Sequence, residues 1–285
     1  MSQRSALPEV ILEPIVRLAL LEDLAPAGDV TSDTAVAADV RWRGVIRSRE
    51  SGVIAGVDAA LLAARLLDRA LDVRVIRGDG AAVEPGEAVL ELAGNARSIL
   101  MAERTMLNFL GHLSGIATLT RDFVRALAAS AARVTCTRKT TPGLRALEKR
   151  AVLLGGGINH RFSLADAVLI KDNHIAAAGG VRAALAAARA AAGHMRVIEI
   201  EVDTLEQLRE ALPLRPHCVL LDNMSLEELR EAVAITAGQA VLEASGNVRL
   251  ATIAAIAATG VDYISVGALT HSARRLDLGL DAAAP

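Results

Sequence analysis

Six short apolar segments, at residues 134–137, 167–170, 197–200, 218–221, 240–243 and 263–266, each run into polar or glycine residues and then into a helical, often Ala-rich stretch. Their ends lie about 20 to 35 residues apart, the spacing of βα units. This alternation constrains the fold more than any other feature of the chain. Strand and helix in turn predict a parallel sheet with helical cover, and closing that sheet toward a barrel brings every strand's C-terminal end to one face. The residues at those ends then belong together: Arg138 and Lys139, Lys171 and Asp172, Glu201, Asp222 and Asn223, Ser245 to Asn247, and Gly267.

The first third has a different texture. Residues 7–21 show helical apolar spacing with Pro8 in the first turn, and the polar, Gly- and Pro-containing stretch through Asp33 reads as loop. Short β-branched segments, Val45-Ile46 and residues 73–76 among them, alternate with turn residues around a helical run over 59–70. A long helical pattern follows from Ala96 to about Ala129, with Gly111 and Gly115 as its expected break points. The expected fold is α/β overall, with an α+β domain over residues 1–113 and an α/β domain over 114–285.

Composition narrows the partners. No apolar run approaches the roughly 18 to 20 residues a membrane span needs. The first fourteen residues carry Arg4, Glu9 and Glu13 and lack the unbroken apolar core of a secretory signal, so the expected location is cytoplasmic. Cys136 and Cys218 stand in apolar segments far from any metal-ligand spacing and read as small core residues. A net charge of −2 with one Trp, one Tyr and three Phe supplies neither the basic surface nor the stacking platforms of a nucleic-acid binder. A small-molecule substrate fits better.

The strand ends mix cations, carboxylates and small residues, which suits an anionic, phosphorylated ligand, because backbone N–H groups at small residues can approach phosphate closely. The segment TRKTTPGLRALEK concentrates Arg138, Lys139, Arg145 and Lys149, and LGGGINHR adds three glycines and the pair His160-Arg161. Arginine grips planar anions through two parallel hydrogen bonds, whereas lysine acts as a point charge. Taken singly, each feature has a plainer reading. Lys171 or Arg138 alone fits a solvated or paired charge, Gly155 to Gly157 a mobile loop, and Lys171 to His174 an exposed helix start capped by Asp172 or Asn173. Together they point to a ligand, since unpaired ions at partly buried strand ends cost several kcal/mol.

Taken in order, AERTMLN, TRKTTPGLR, GGGINHR, LIKDNHI, EIEVD, LLDNMS, EASGNV and ISVGALTHS make the chain resemble the bacterial quinolinate phosphoribosyltransferases, with EDLAPAGDVTSD near Glu22 extending the likeness to nearly the whole length. It departs from that pattern at Arg150, where an aromatic residue is expected, and at Ser163, near an expected glycine.

The resemblance implies an N-terminal α+β sandwich and a C-terminal incomplete, TIM-like α/β barrel, with the tail from about 271 packing back on the first domain. It implies a homodimer, with a hexamer built as a trimer of dimers left open, in which Arg104 acts across the interface. It implies phosphoribosyl transfer from phosphoribosyl pyrophosphate to quinolinate with decarboxylation, giving nicotinate mononucleotide, pyrophosphate and CO2 in de novo NAD biosynthesis. Quinolinate contacts carry over to Arg104, Thr137, Arg138, Lys139, His160 and Arg161, with Lys139 and Lys171 near the reacting centre. Glu201 and Asp222 hold the ribose hydroxyls and Mg2+, the metal chiefly through substrate and water, and Ser245, Gly246, Asn247, Val266, Gly267 and Ala268 bind phosphate. The family's catalytic positions thus fall on Lys139, Lys171, Glu201 and Asp222. The enzyme alternative is a molybdenum-locus homologue of the same fold with another anionic ligand. It would change the quinolinate-gripping cations, all of which are present. A non-catalytic barrel would be expected to lose Glu201, Asp222 or Lys171. A phosphate-binding lyase or isomerase barrel leaves the cation cluster before the glycine triplet unexplained.

Overall fold

A computed structural model of the chain describes residues 6–127 and 130–283. Arg4 and the expected helix end near Ala129 lie outside the described residues. In chain order the elements are α1 (Glu9–Leu24), α2 (Val30–Ala35), β1 (Arg41–Ser48), β2 (Gly52–Val53), α3 (Val57–Leu67), β3 (Asp72–Val75), β4 (Ala82–Val83), β5 (Ala88–Asn95), α4 (Ala96–Ala126), β6 (Arg133–Thr135) and α5 (Arg145–Gly155). They continue with β7 (Val168–Ile170), α6 (Asp172–Ala178), α7 (Val181–Ala191), β8 (Ile198–Val202), α8 (Leu205–Ala211), β9 (Cys218–Asp222), α9 (Leu226–Thr236), β10 (Val241–Ser245), α10 (Ile253–Ala257), β11 (Tyr263–Ser265), α11 (Ala268–His271) and β12 (Leu278–Ala282). Among the described residues no helix is long and apolar enough to cross a membrane.

Two compact units result. One takes Met1–Arg121, Thr140–Gly156 and Thr270–Pro285, and the other Asp122–Lys139 and Gly157–Leu269. The expected boundary at residue 113 therefore falls inside α4, and α5 joins the first unit rather than the second. Its side chains explain why: buried Glu148 accepts hydrogen bonds from His112 and from the Thr141 N–H, at 2.9 and 3.1 Å.

The first unit is built on an antiparallel sheet ordered β12-β1-β5-β3, with β2 and β4 as a separate pair. Along α1 the buried residues Leu12, Val16 and Leu20 recur every four positions, the stripe that packs on α3. The stretch read as loop contains α2, which the Asp29 carboxylate caps by accepting the Ser32 N–H at 3.0 Å. The expected break in α4 does not occur. Gly111 and Gly115 instead let the returning tail lie against the helix: the Leu276 N–H donates to the Gly111 carbonyl at 2.9 Å, and a Cβ on Gly115 would collide with the Arg274 carbonyl. Close approach of a second backbone is a use of glycine that local spacing does not reveal. The tail then adds β12 beside β1, with Gly44 opposite Ala282 and Ser48 opposite Leu278.

Arg150, the departure from the expected aromatic, joins α5 to a carboxylate pair: its Nη1 lies 2.6 Å from Asp79 and 3.2 Å from Asp58, while Asp79 also accepts the Val57 N–H at 3.0 Å. Arg150 and Asp79 are each 10% exposed, so Arg150→Ala strands buried charge. The variant should lose about 3 kcal/mol of unfolding free energy, read from the denaturant midpoint, with Asp58→Ala, at a partly solvated site, losing less.

The second unit carries a six-stranded parallel sheet in the order β6-β11-β10-β9-β8-β7. Strands β7 to β11 neighbour one another in sequence and β6 follows β11, so only the β6 and β7 edges remain unjoined, the arrangement of an incomplete barrel. Near the β6 edge, Ile158 forms a single parallel bridge with Thr135. Thr204 caps α8, and a reciprocal Ser225/Glu228 box opens α9, so each helix begins within four residues of its strand's end.

Candidate active site

A cavity of about 410 Å³ opens at the C-terminal ends of the second unit's strands. Thr137, Arg138 and Lys139 follow β6, and His160 and Arg161 follow the segment bridged to it. Lys171 follows β7, Glu201 is the penultimate residue of β8, and Asp222 and Ser245 end β9 and β10. All nine line the cavity. Alternation along β8 puts Glu199 and Glu201 on one face while Ile198, Ile200 and Val202 face the other way.

Lys171 Nζ makes a short ion pair with Glu201, whose side chain is only 12% exposed. Arg161 donates from Nη1 to the Ala167 carbonyl at 3.0 Å, and burial together with the neighbouring Arg138 lowers its pKa from the usual value. The Nε atoms of both Arg138 and Arg161 are buried without a hydrogen-bond partner among the described residues. Two guanidinium groups held beside each other with donors unsatisfied form a receptor for a compact anion.

The ends of β9 and β10 interlock. Asn223, Gly246 and Asn247 have left-handed φ of 55°, 99° and 48°, the Asn223 N–H donates to the Ser245 carbonyl at 3.0 Å, and the Asn247 amide donates to the Asn223 side chain at 3.3 Å. A Cβ on Gly246 would strike Asn223. A turn backbone of this kind, with glycine at its tightest point, lets N–H groups approach an anion closely. Of the remaining expected phosphate contacts, Val266 is buried, and Gly267 and Ala268 are half-buried at the start of α11. Arg104 is exposed on α4 in the first unit and is not among the residues lining this cavity.

Sequence reading missed the floor. Glu199 and Glu243 are each 5% exposed beneath the cations, and His160 Nε2 lies 3.0 Å from Glu199 and 3.8 Å from Glu243. The available signal was charge inside apolar strands: Glu199 lies two residues before Glu201, on the same face. Burial, and next the Glu199 charge, raise the Glu243 pKa to about 7, opposed by His160, Ser265 and Lys171. Cys218, half-buried rather than fully in the core, donates its thiol to Glu199 at 3.4 Å, and burial raises its pKa strongly. Although His160, Glu199 and Glu243 present three possible ligand atoms within 4.8 Å of one another, His160 Nδ1 accepts the Arg161 N–H at 2.8 Å. That bond places the ring proton on Nε2, the nitrogen a metal would need, and metal-bound histidines show the opposite arrangement, donating from their second nitrogen.

Comparison with known proteins gives this arrangement a family. Sequence models of the quinolinate phosphoribosyl transferase N-terminal and C-terminal domains match residues 29–114 and 116–281. The chain belongs to the quinolinate phosphoribosyltransferase family. Among its relatives, the nicotinate-nucleotide pyrophosphorylase [carboxylating] of Mycobacterium leprae is 48% identical over 274 residues, covering 93% of this chain and 95% of that one. The probable enzyme of that name from Bacillus subtilis is 42% identical over 270 residues, covering 95% and 93%. The solved structure of the nicotinate-nucleotide pyrophosphorylase from Francisella tularensis superposes with a TM-score of 0.94 at 40% identity, covering 99% of this chain and all of that one. Family membership agrees with the two-unit architecture, an α+β unit and a parallel-stranded partial barrel.

Proposed function

We propose that the chain transfers the phosphoribosyl group of phosphoribosyl pyrophosphate to quinolinate and removes one carboxylate, yielding nicotinate mononucleotide, pyrophosphate and CO2 for NAD biosynthesis. The observation that carries this reading is the pair of neighbouring half-buried arginines, Arg138 and Arg161, in a cavity rimmed by Lys139, Lys171, Glu201 and Asp222. A planar dicarboxylate matches two guanidinium groups set side by side.

In this reading Arg138, Arg161, Lys139 and the Thr137 hydroxyl grip quinolinate, with His160 as part of the pocket wall. Lys139 and Lys171 stabilise the departing pyrophosphate. Positive charge grows on the ribose as that bond breaks, and the Glu201 and Asp222 carboxylates stabilise it and hold the hydroxyls while the pyridine nitrogen attacks. Once ribosylated, the ring nitrogen is cationic and stabilises the electron pair left on the adjacent carbon when its carboxylate departs as CO2. Ser245, Gly246 and Asn247, with Val266, Gly267 and Ala268, receive the phosphate. Gly246→Ala forces a side chain against Asn223 at a left-handed position, so its KM for phosphoribosyl pyrophosphate should rise about tenfold with quinolinate KM little changed, a difference read from initial rates.

Magnesium fits the rim, since Glu201 and Asp222 offer hard carboxylate oxygens at adjacent strand ends, the donor set that Mg2+ shares with substrate phosphates and water. Bound there, it would supply charge neutralisation to the pyrophosphate. Arg104, exposed on α4, serves the cavity of a partner subunit in a cytoplasmic homodimer, for which family membership is the support, and a hexamer of three such dimers is the further assembly to test by sedimentation. The reading is tested by initial rates with phosphoribosyl pyrophosphate and Mg2+, comparing quinolinate with nicotinate. Turnover with quinolinate and little with nicotinate is expected. A folded protein that prefers nicotinate, or uses neither, contradicts the reading.

A further inference from the structure

Both ring nitrogens of His160 are engaged inside the protein. Nδ1 accepts the Arg161 backbone N–H at 2.8 Å, and Nε2 lies 3.0 Å from the Glu199 carboxylate. The imidazole therefore meets the cavity through its face and carbon edge, as a wall whose position is set from below. What sets it is Glu199, a side chain on β8 that is 5% exposed and is not among the cavity-lining residues. The other Glu199 oxygen accepts the Cys218 thiol at 3.4 Å, so both of its oxygens are tied within the unit. Glu243 does not share this role. Its Oε1 is 3.8 Å from the same Nε2, beyond hydrogen-bond range, and has no hydrogen-bond partner among the described residues.

We propose that Glu199 is a positioning residue for quinolinate recognition, acting through His160 to fix the wall of the dicarboxylate pocket and the backbone that carries Arg161. The proposal rests on the reading that quinolinate sits against His160 and Arg161. A carboxylate buried this deeply is costly unless it is hydrogen-bonded, and the bond it makes holds one tautomer and one ring orientation. The same ring anchors the Arg161 N–H, so releasing the imidazole loosens two pocket residues at once. Substrate then has to order the pocket as it binds, and affinity falls by that cost. Glu201, the ribose contact on the same strand, is held by its own partner, Lys171, and the other ribose and phosphate contacts end β9 or follow β10 and β11, so affinity for phosphoribosyl pyrophosphate should change little.

The experiment combines tautomer detection with kinetics. In a long-range 1H–15N spectrum of protein labelled at histidine, assigned with His160→Ala, wild-type His160 is expected to carry its proton on Nε2 with Nδ1 unprotonated. Finding the proton on Nδ1 overturns the proposal. Glu199→Ala is expected to raise quinolinate KM roughly tenfold or more while the KM for phosphoribosyl pyrophosphate stays within about twofold. Glu199→Gln, whose amide oxygen also accepts from Nε2, should restore most of the quinolinate affinity. Equal shifts in both KM values, or a Gln variant no better than Ala, count against positioning and indicate general damage. Glu199→Gln and the wild-type spectrum keep the test decisive if the Ala variant fails to fold. His160→Ala separates the proposal from the reading beneath it. If that variant keeps wild-type quinolinate KM, the placement of quinolinate beside His160 fails, whereas a raised KM with unaltered Glu199→Ala kinetics overturns the role of Glu199 alone.

Discussion

Glu201→Ala lowers turnover at saturating quinolinate and phosphoribosyl pyrophosphate by at least about 100-fold, the loss expected when one preorganised electrostatic group is removed. Glu201 lies near the end of β8 with its side chain 12% exposed and paired to Lys171, so its charge acts in a partly dry setting where it is worth more than in water. Stability should change little, because the Lys171 side chain left behind is 44% exposed and water solvates it. Glu201→Gln preserves shape without charge and should share most of the loss. That comparison assigns the effect to electrostatics rather than packing. Both values are read as kcat from nicotinate mononucleotide formation, and wild-type turnover in either variant removes Glu201 from this role.

Arg161→Ala should act on the other side of the catalytic cycle, raising quinolinate KM by about 100-fold, since charge-assisted hydrogen bonds contribute roughly 1.5 to 3 kcal/mol each. The reasons are local. Burial and the Arg138 charge both disfavour the Arg161 cation, and an incoming carboxylate offsets both with its opposite charge. Arg161→Lys restores charge but not the planar fork and should recover only part of the affinity. A KM for phosphoribosyl pyrophosphate that rises in parallel would place Arg161 elsewhere in the site.

Much of this site was legible because strand ends in a βα repeat announce themselves. The six apolar segments fall on β6 to β11 within about two residues at each end. Of the residues expected at their ends, Arg138, Lys139, Lys171, Glu201, Asp222 and Ser245 line one cavity, whereas Asp172, Asn223, Gly246, Asn247 and Gly267 are not among its lining residues. The floor was not legible for a definite reason. Glu199 and Glu243 sit inside apolar strands, where a carboxylate reads as an interruption until the strand's facing is known, and only the fold shows that His160 arrives above them. The first unit resisted in a similar way. Gly111 and Gly115 signal a helix break locally, but the tail that needs their missing side chains is more than 150 residues away in sequence. Arg150 had no local rationale either, because both of its carboxylate partners, Asp58 and Asp79, come from a distant segment. By contrast, α2 had a readable start in Asp29 followed by Ser32, and was missed because the surrounding Gly and Pro outweighed a cap. In each failure a contact distant in sequence overrode a local signal, except at α2, where one local signal masked another.

In the proposed reaction this cavity couples phosphoribosyl transfer to loss of the carboxylate beside the ring nitrogen. Quinolinate labelled at its 2-carboxyl carbon, incubated with purified protein, phosphoribosyl pyrophosphate and Mg2+, tests it most directly. Labelled CO2, pyrophosphate and unlabelled nicotinate mononucleotide should appear in equal amounts at every time point. Pyrophosphate release without labelled CO2, or a nucleotide that keeps the label, would contradict the account.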